Sequence, residues 1–297
     1  MPSEGAGEAV PSPLPRQAST VPRRPAADRP PLPRTVDGLP QLEPAFSQVV
    51  DAGLQRLGLE LTAGGRSAID AQARLLLAWS PFVNLTALRD AEQIARGHVL
   101  DSLTALPLLR RLAPRRLLDL GSGAGYPGLP LAACLPAADC ALVDSVGKKQ
   151  AFLSVAADAA LAALREAGEQ PPNILALAER AEDLAQEADQ REAWDVTTAR
   201  AVGSLAEVLE LCLPLTRVGG HVVAWKRRPP DGSLEREMGA ARRVLQAAGG
   251  SRPRLKQAPG LAQLGLPEHV LVVVRKVRPT PHHYPRPPAE RRRALLR

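Results

Sequence analysis

The sequence is short of aromatic residues, which make up only 3% of its 297 residues. It also lacks any apolar run near the ~18 residues of a membrane span, so we expect no transmembrane helix and no membrane partner. Residues 1–30 contain prolines and charges but no apolar stretch, which argues against a secretory signal. Hydrophobic residues still reach 45%, so Leu, Ala and Val must build the core. These absences favour a cytoplasmic protein.

Cysteine is scarce as well. The chain has three cysteines, Cys134, Cys140 and Cys212, and they are scattered along the sequence. They form no C-x-x-C pair and no cluster with histidine, so the sequence predicts neither a disulfide framework nor a zinc site. We therefore expect a reducing compartment and no bound metal.

Positive charge is concentrated in one place. The formal net charge is +7, and the segment from Arg275 onward holds eight Arg or Lys residues against one Glu, which equals the whole excess. A concentrated basic segment suggests a phosphate-rich partner. The alternative is a solvated segment that binds nothing.

The composition divides the chain into four parts. Residues 1–40 hold ten of the 30 prolines and few large apolar residues, so we expect a disordered tail. Residues 41–112 space their apolar positions at three and four, and Asp90 is a candidate N-cap, which predicts a helical extension. Residues 113–278 are expected to form the core domain, and residues 279–297 a basic tail.

The core domain alternates apolar runs with helical stretches. The runs are RRLLDL, CALVD, NILAL, WDVTTA, GHVVAW and HVLVVVRK. Alternation of this kind predicts an α/β fold, with a mostly parallel sheet flanked by helices. Ligands of such sheets bind beyond the carboxyl ends of the strands, so the residues that end each strand are the candidate site residues.

The first strand runs into the stretch LLDLGSGAGYPG, whose glycines fit two patterns. Read from Gly123, GAGYPG matches the G-x-G-x-x-G loop of dinucleotide-binding proteins. Read from Asp119, DLGSGAG matches a loop that holds S-adenosylmethionine (AdoMet). Glycines such as Gly121 and Gly125 allow close backbone approach to either ligand. Asp144, which ends the second strand, suits the ribose hydroxyls of both.

Two features favour AdoMet. A dinucleotide loop needs its first glycine directly after the strand, yet Gly123 follows Leu120 by three residues, and Pro127 and Pro130 delay the helix. The carboxylate of Asp119 would repel a pyrophosphate, whereas AdoMet carries an ammonium and a sulfonium that favour nearby negative charge. An NAD-dependent oxidoreductase stays as the alternative.

Later strand ends add polar candidates. The third strand is followed by Glu179, Arg180, Glu182 and Asp183, either as contacts to an adenine edge or as acids favoured at a helix N-terminus. Arg200 ends the fourth strand and Lys226 the fifth. Arg227 and Arg228 follow Lys226, and these basic residues are expected to meet phosphates unless they are merely solvated.

An ordered series of motifs resembles the RsmG (GidB) family of bacterial 16S rRNA guanine-N7 methyltransferases. The series covers about residues 41–290 and consists of NLTAL, GHVLDSL, LLDLGSGAGYPGLPLA, LVDSVGKKQAFL, RAEDL, ARAVGSL, AWK and EHVLVVVRK. HHYPRPP also resembles a basic Tyr-Pro-Arg segment of many members. The resemblance implies a Rossmann-like class I AdoMet methyltransferase with a seven-stranded sheet and an N-terminal helical layer.

The resemblance also assigns residues and partners. It implies AdoMet contacts at Gly121, Tyr126, Ala181, Glu182 and Arg200, with Asp144 at the ribose. Asp119, Gly123 and Gly125 complete the expected cofactor set. Substrate positioning is expected of Arg200, Lys226, His98 and Asn84, although His98 on its own would suit an ordinary helix histidine. The implied substrate is 16S rRNA or the 30S subunit, bound by a monomer.

The chemistry of guanine N7 agrees with the absence of an obvious acid–base pair. N7 carries an in-plane lone pair, so its methylation needs no general base and depends mainly on positioning. A-form RNA hides N7 in a deep major groove, so the target guanine is expected to be unpaired or in a loop. A non-catalytic rRNA-binding module on the same fold stays as a further alternative.

Overall fold

The structure, a computed structural model, describes residues 31–295. Most of the predicted disordered tail, residues 1–30, lies outside the described residues. Residues 33–40 were predicted to belong to that tail, yet their backbone carbonyls accept hydrogen bonds from the guanidinium of Arg74 and the indole of Trp79. The predicted disorder therefore does not extend to this stretch, because the helical layer supplies partners for its backbone.

Seven strands form one sheet in the order β3-β2-β1-β4-β5-β7-β6. The pairings from β3 to β5 are parallel, and β7 runs antiparallel to both β5 and β6. The six strands expected from the apolar runs are present, and the short polar β6 joins them. The strands are β1 (Arg116–Leu120), β2 (Asp139–Val143), β3 (Ile174–Leu177), β4 (Trp194–Arg200), β5 (Thr216–Arg227), β6 (Arg254–Lys256) and β7 (His269–Arg275).

Helices cover both faces of the sheet and build the N-terminal layer. A π-helical turn, Ala95–Leu100, interrupts that layer. The helices are α1 (Pro44–Leu57), α2 (Ala63–Trp79), α3 (Ala91–Ile94), α4 (Asp101–Leu103), α5 (Leu106–Leu112), α6 (Gly128–Ala133), α7 (Gly147–Glu166), α8 (Ala181–Leu184), α9 (Leu205–Cys212), α10 (Ser233–Ala240), α11 (Arg242–Ala248) and α12 (Pro288–Leu295). No helix of residues 31–295 is long and apolar enough to cross a membrane.

The two faces of the sheet bury alternate residues of each strand. Leu118 and Leu120 of β1 belong to a core cluster that includes buried residues of α9 and α11. The strand period of two directs the fully buried Leu117 and Asp119 to the opposite face, where α6 packs on β1 and β2. The predicted mostly parallel α/β sheet between helical layers is confirmed.

The N-terminal helices pack directly on the core. Helix α2 lies along α7 and also contacts α6, with the rings of Trp79 and Phe152 edge to face at 5.5 Å. The predicted N-cap at Asp90 is present, since its carboxylate accepts a hydrogen bond from the backbone N–H of Gln93 at 2.8 Å. Gln72 of α2 donates to the carbonyl of Ala124, so this layer also supports the loop after β1.

Candidate functional site

The loop between β1 and α6 needs its glycines because its backbone adopts positive φ angles. Gly121, Gly123 and Gly125 adopt φ values of +71°, +56° and +82°, a region that other residues rarely enter. Gly121 also comes close to the chain after β4, because a Cβ there would lie 2.6 Å from Cγ2 of Val202. The loop therefore forms a narrow cradle at the carboxyl end of the sheet.

The strand-end acid of β2 is bound to the same loop. Asp144 accepts the backbone N–H of Gly123 at 3.0 Å on one oxygen and that of Val146 at 2.9 Å on the other. Lys149 lies 3.6 Å from it. A carboxylate has about four lone-pair sites, so each oxygen keeps capacity for a hydroxyl donor. Asp144 can thus fix the loop and bind a ligand at once.

A cleft of about 310 Å³ opens beyond β1, β2 and β3. It brings together four of the expected cofactor residues: Gly121, Asp144, Ala181 and Glu182. Of the other polar residues after β3, Glu179 and Arg180 line it and Asp183 does not. Its remaining lining comes from Leu120, Val143, Ser145, Val146, Lys149, Ala201, Val202, Leu211 and Arg291.

Asp119 is placed differently from the expectation. Its carboxylate is fully buried, accepting the hydroxyl of Thr198 at 2.7 Å and the backbone N–H of Gly128 at 3.0 Å. Burial raises the pKa of this carboxyl to about 6. The side chain faces α6 because β1 alternates its faces, and it is not among the residues that line the cleft. Its contribution is to tie the glycine loop and α6 to β4.

Arg200, at the end of β4, is held by the N-terminal layer. Its guanidinium donates to the carbonyl of Gly97 at 2.8 Å, to the carboxylate of Asp101 at 2.9 Å and to Nδ1 of His98 at 2.8 Å. Ala201 follows with a φ of +57°, an unusual value for a residue with a Cβ. The π-helical turn carries Gly97 and His98, which agrees with the frequent use of such turns at functional sites.

Asp101 is the buried centre of the cluster that it forms with Arg200, Gly97 and His98. Its second oxygen lies 2.8 Å from Nδ1 of His269, and its backbone carbonyl accepts the indole N–H of Trp225 at 2.8 Å. Only 2% of the residue is exposed. A buried charge needs paired hydrogen bonds to be tolerated, and here Arg200 and His269 supply them.

The protonation of His98 follows from its partners. Arginine can only donate, so Nδ1 of His98 accepts the bond from Arg200. The ring proton then sits on Nε2, which lies 2.7 Å from the hydroxyl of Thr86. Burial and, to a smaller extent, the Arg200 charge lower the pKa of His98 to about 3. The imidazole is neutral at physiological pH, with both nitrogens engaged.

Tyr126 links the glycine loop to this cluster and does not line the cleft. Its ring stacks on His98 with centroids 4.7 Å apart and planes at 17°, and the guanidinium of Arg200 lies 5.8 Å from its centroid. Only 3% of the residue is exposed, and its buried hydroxyl has no hydrogen-bond partner among the described residues. Its ring therefore couples the loop to Arg200.

Two expected positioning residues stand apart. The ammonium of Lys226 donates to Glu237 at 2.7 Å and to the carbonyl of Gly203 at 2.8 Å, so it braces α10 against the chain after β4. Asn84 is exposed, and the described residues offer its side chain no hydrogen bond. Neither contacts Arg200 or His98 among residues 31–295, where Thr86 bonds to His98, and their role in substrate positioning stays a prediction.

The basic residues beyond Lys226 are partly neutralised. Arg227 pairs with Glu268 and Arg228 with Glu235, at 2.6 and 2.7 Å. Both arginines are more than half exposed, so these pairs are weak and a phosphate could displace them.

Four further residues of the site were not predicted from the sequence. Asp101 and Thr86 lie inside the quoted motifs GHVLDSL and NLTAL, but no periodicity shows that they meet Arg200. His269 opens β7, far away in sequence. Arg291 is one of several arginines in the basic tail, and nothing in its neighbourhood predicts a place in the cleft.

Comparisons with known proteins show which family the chain resembles. The family model described as GidB, rRNA small subunit methyltransferase G, matches residues 66–252. A protein of Roseiflexus sp. (strain RS-1), named ribosomal RNA small subunit methyltransferase G, is 42% identical over 211 residues, covering 71% of this chain and 83% of its own. A protein of the same name from Symbiobacterium thermophilum is 35% identical over 246 residues, covering 82% and 94%.

Among solved structures, human N-acetylserotonin methyltransferase in complex with SAM is similar at a TM-score of 0.42 and 14% identity. It covers 78% of this chain and 66% of its own. A structural similarity this low supports no conclusion about the function of this chain. The family model and the relatives, with the glycine cradle and the motifs they span, decide the assignment: this chain belongs to the rRNA small subunit methyltransferase G (GidB) family.

Proposed function

We propose that this protein transfers a methyl group from AdoMet to N7 of one guanine in the 16S rRNA of the small ribosomal subunit. The observation that carries the proposal is the adjacency of two features. The cleft of Gly121 and Asp144 suits a nucleoside cofactor, and the chain passes directly from Arg200, whose guanidinium is held by Asp101, to the cleft-lining Ala201.

The residues of the cleft fit AdoMet. A Cβ at Gly121 would meet Val202, so only glycine fits where the loop lines the cleft, and Asp144 keeps lone pairs for the two ribose hydroxyls. Oε2 of Glu179 and Nε of Arg291 are buried without a hydrogen-bond partner among the described residues, and both residues line the cleft. Buried polar atoms of this kind are expected where a ligand completes the site.

Among the described residues beside Arg200, His98 is the candidate general base, and the proposed reaction needs none. When bound, AdoMet supplies an electrophilic methyl group, and the lone pair of guanine N7 is already free to accept it. His98 is neutral, and both of its nitrogens are occupied by Arg200 and Thr86, so it orients and does not move a proton. Catalysis is then positioning, which is worth about 7–11 kcal/mol when two reactants are well aligned.

Arg200 is the proposed contact to the guanine. A guanidinium can donate to O6 of guanine, and Asp101 compensates its charge. Because N7-methylguanine is a cation, an uncompensated arginine would repel the product. The Asp101 pair therefore allows Arg200 to hold the base before and after transfer.

We further propose that residues 113–278 form the methyltransferase core, with residues 41–112 as an extension packed on it. The cluster at Arg200 supports this division, because Thr86, His98 and Asp101 all come from the extension. The extension then helps to build the substrate side of the site, and we expect the protein to act as a monomer.

The test is a transfer assay with labelled AdoMet, using naked 16S rRNA and 30S subunits as substrates. We expect one labelled guanine, and no label when that position carries 7-deazaguanosine, which has carbon in place of N7. Label that persists in the deaza substrate overturns the N7 assignment. AdoMet should raise the melting temperature and NADH should not, which separates the proposal from an oxidoreductase.

A further inference from the structure

A side chain from the basic tail lies in the proposed cofactor cleft. Arg291 of α12 is 6% exposed and lines the cleft together with Asp144 and Lys149. Its Nη2 lies 2.6 Å from Oε1 of Glu182, and its Nη1 donates to the carbonyl of Arg286 at 2.8 Å. Its Nε is buried and has no partner among residues 31–295. The guanidinium is thus built into the wall of the cleft.

The chain before α12 is fixed to the core, and its contacts place Arg291 at the cleft. The guanidinium of Arg286 donates to both oxygens of Glu210, at 2.8 and 2.6 Å. Arg191 donates to three backbone carbonyls of the tail. Tyr284 is 8% exposed. These contacts hold residues 280–286 on the core and deliver the next helix to the cleft.

The order of the strands indicates which part of the cofactor Arg291 meets. Asp144 follows β2, Glu182 follows β3, and β3 is next to β2 at the edge of the sheet. A nucleoside whose ribose lies at Asp144 therefore places its base toward Glu182 and Arg291. Adenine presents an amino donor beside a ring-nitrogen acceptor, and a carboxylate beside a guanidinium offers the complementary acceptor and donor. Guanidinium planes also stack on aromatic rings.

We propose that Arg291, with Glu182, binds the adenine ring of the cofactor, so that helix α12 is part of the cofactor site and not a free arm. The proposal rests on the proposed function, because it takes AdoMet as the ligand. It assigns to Arg291 a role that the basic composition of the tail does not suggest.

Calorimetry on the full chain tests the assignment with three ligands: AdoMet, S-adenosylhomocysteine and 5′-methylthioadenosine. The last keeps the adenosine and lacks the amino-acid part. We expect Arg291→Ala to weaken all three about tenfold or more, as for a lost hydrogen bond from a charged group. Arg291→Lys, which keeps the charge but loses the planar fork, should fall between Arg291→Ala and wild type. Arg292→Ala, an equal charge change at an exposed neighbour on α12, should bind all three like wild type.

Each other outcome has a definite meaning. Wild-type affinities in Arg291→Ala overturn the proposal, and so does a loss for AdoMet that spares 5′-methylthioadenosine, because the contact would then be to the amino-acid part. If Arg291→Ala does not fold, as judged by its melting curve without ligand, truncation after Pro287 replaces it. That variant removes α12 and keeps the Arg286–Glu210 pair, and unchanged binding by it also overturns the proposal. A wild-type chain that binds none of the ligands contradicts the proposed function itself.

Discussion

At the scale of single residues, the protonation of His98 is fixed by the packing around it. Its ordinary pKa of 6.5 falls to about 3, mainly because burial penalises the charged ring and secondly because Arg200 repels it. The unfolded chain takes up a proton below about pH 6.5, whereas the folded chain does not until about pH 3. The stability contributed by the neutral ring is complete above pH 6.5 and is lost as the pH falls.

Replacing His98 should therefore change the pH dependence of stability. We expect the advantage of wild type over His98→Gln to shrink by about 2 kcal/mol between pH 7 and pH 5, from a slope of about 1.4 kcal/mol per pH unit. Urea unfolding at both pH values measures it. His282→Gln, at an exposed position, is the matched control and should follow the wild-type profile. A difference that does not vary with pH would contradict the buried neutral assignment.

Two acids that flank the buried part of β2, Asp139 at its start and Asp144 directly after it, allow a second test at the residue scale. Asp144→Asn should weaken AdoMet binding about tenfold or more, because an amide can no longer accept bonds on both sides from the loop and the ribose. Asp139→Asn makes the same change at the exposed start of the same strand and should leave binding unaltered. Calorimetry with AdoMet reads out both variants. Equal affinities in the two would remove Asp144 from the cofactor site.

At the scale of elements, the loop between β1 and α6 depends on glycine for two separate reasons. The positive φ of Gly121 excludes most side chains, and the methyl of Val202 leaves no space for a Cβ. Gly58, which ends α1, shares the first reason with a φ of +62° but has open space around it. Comparing Gly121 with Gly58 therefore separates the cost of backbone strain from the cost of a steric clash.

Gly121→Ala should accordingly cost more stability than Gly58→Ala. The backbone strain alone is worth about 1–2 kcal/mol at either position, and overpacking against Val202 adds about 1–3 kcal/mol at Gly121. Chemical denaturation gives the two free energies of unfolding, and AdoMet affinity should fall only for Gly121→Ala. If both variants lose the same stability, the contact with Val202 imposes no constraint on the loop.

Local pattern predicted the elements better than it predicted the side chains between them. Alternating apolar runs were enough for six strands and for the edge of the sheet that carries the cleft. They could not decide which face of the sheet Asp119 points to. Side chains alternate between the two faces, so a shift of one residue along the strand would reverse the face. The apolar runs also could not show that Thr86 meets His98, since that contact depends on how the loop after α2 packs against the π-helical turn.

At the scale of the whole molecule, the basic segment from Arg275 onward, which includes the tail, is less free than its composition suggests. Lys276 is fully buried and pairs with Glu192 at 2.6 Å, and Arg286 and Arg291 pair with Glu210 and Glu182. Acids of the core therefore neutralise part of the positive charge that a sequence count assigns to the tail. Of the cations from Arg275 onward, the exposed Arg275, Arg292 and Arg293 are best placed to meet phosphate.

The Arg286–Glu210 pair should be the contact that holds the tail in place. Glu210 is 2% exposed, so Arg286→Ala leaves a buried carboxylate without its partner and should cost about 2–4 kcal/mol, less than a fully buried pair because Arg286 is partly exposed. Glu210→Gln in the same chain removes the stranded charge and should restore much of that loss. Arg293→Ala, an exposed arginine of the same tail, should be nearly neutral. Urea unfolding of the wild type and these three variants measures the free energies, and a double variant no more stable than Arg286→Ala would show that the tail is held by its other contacts.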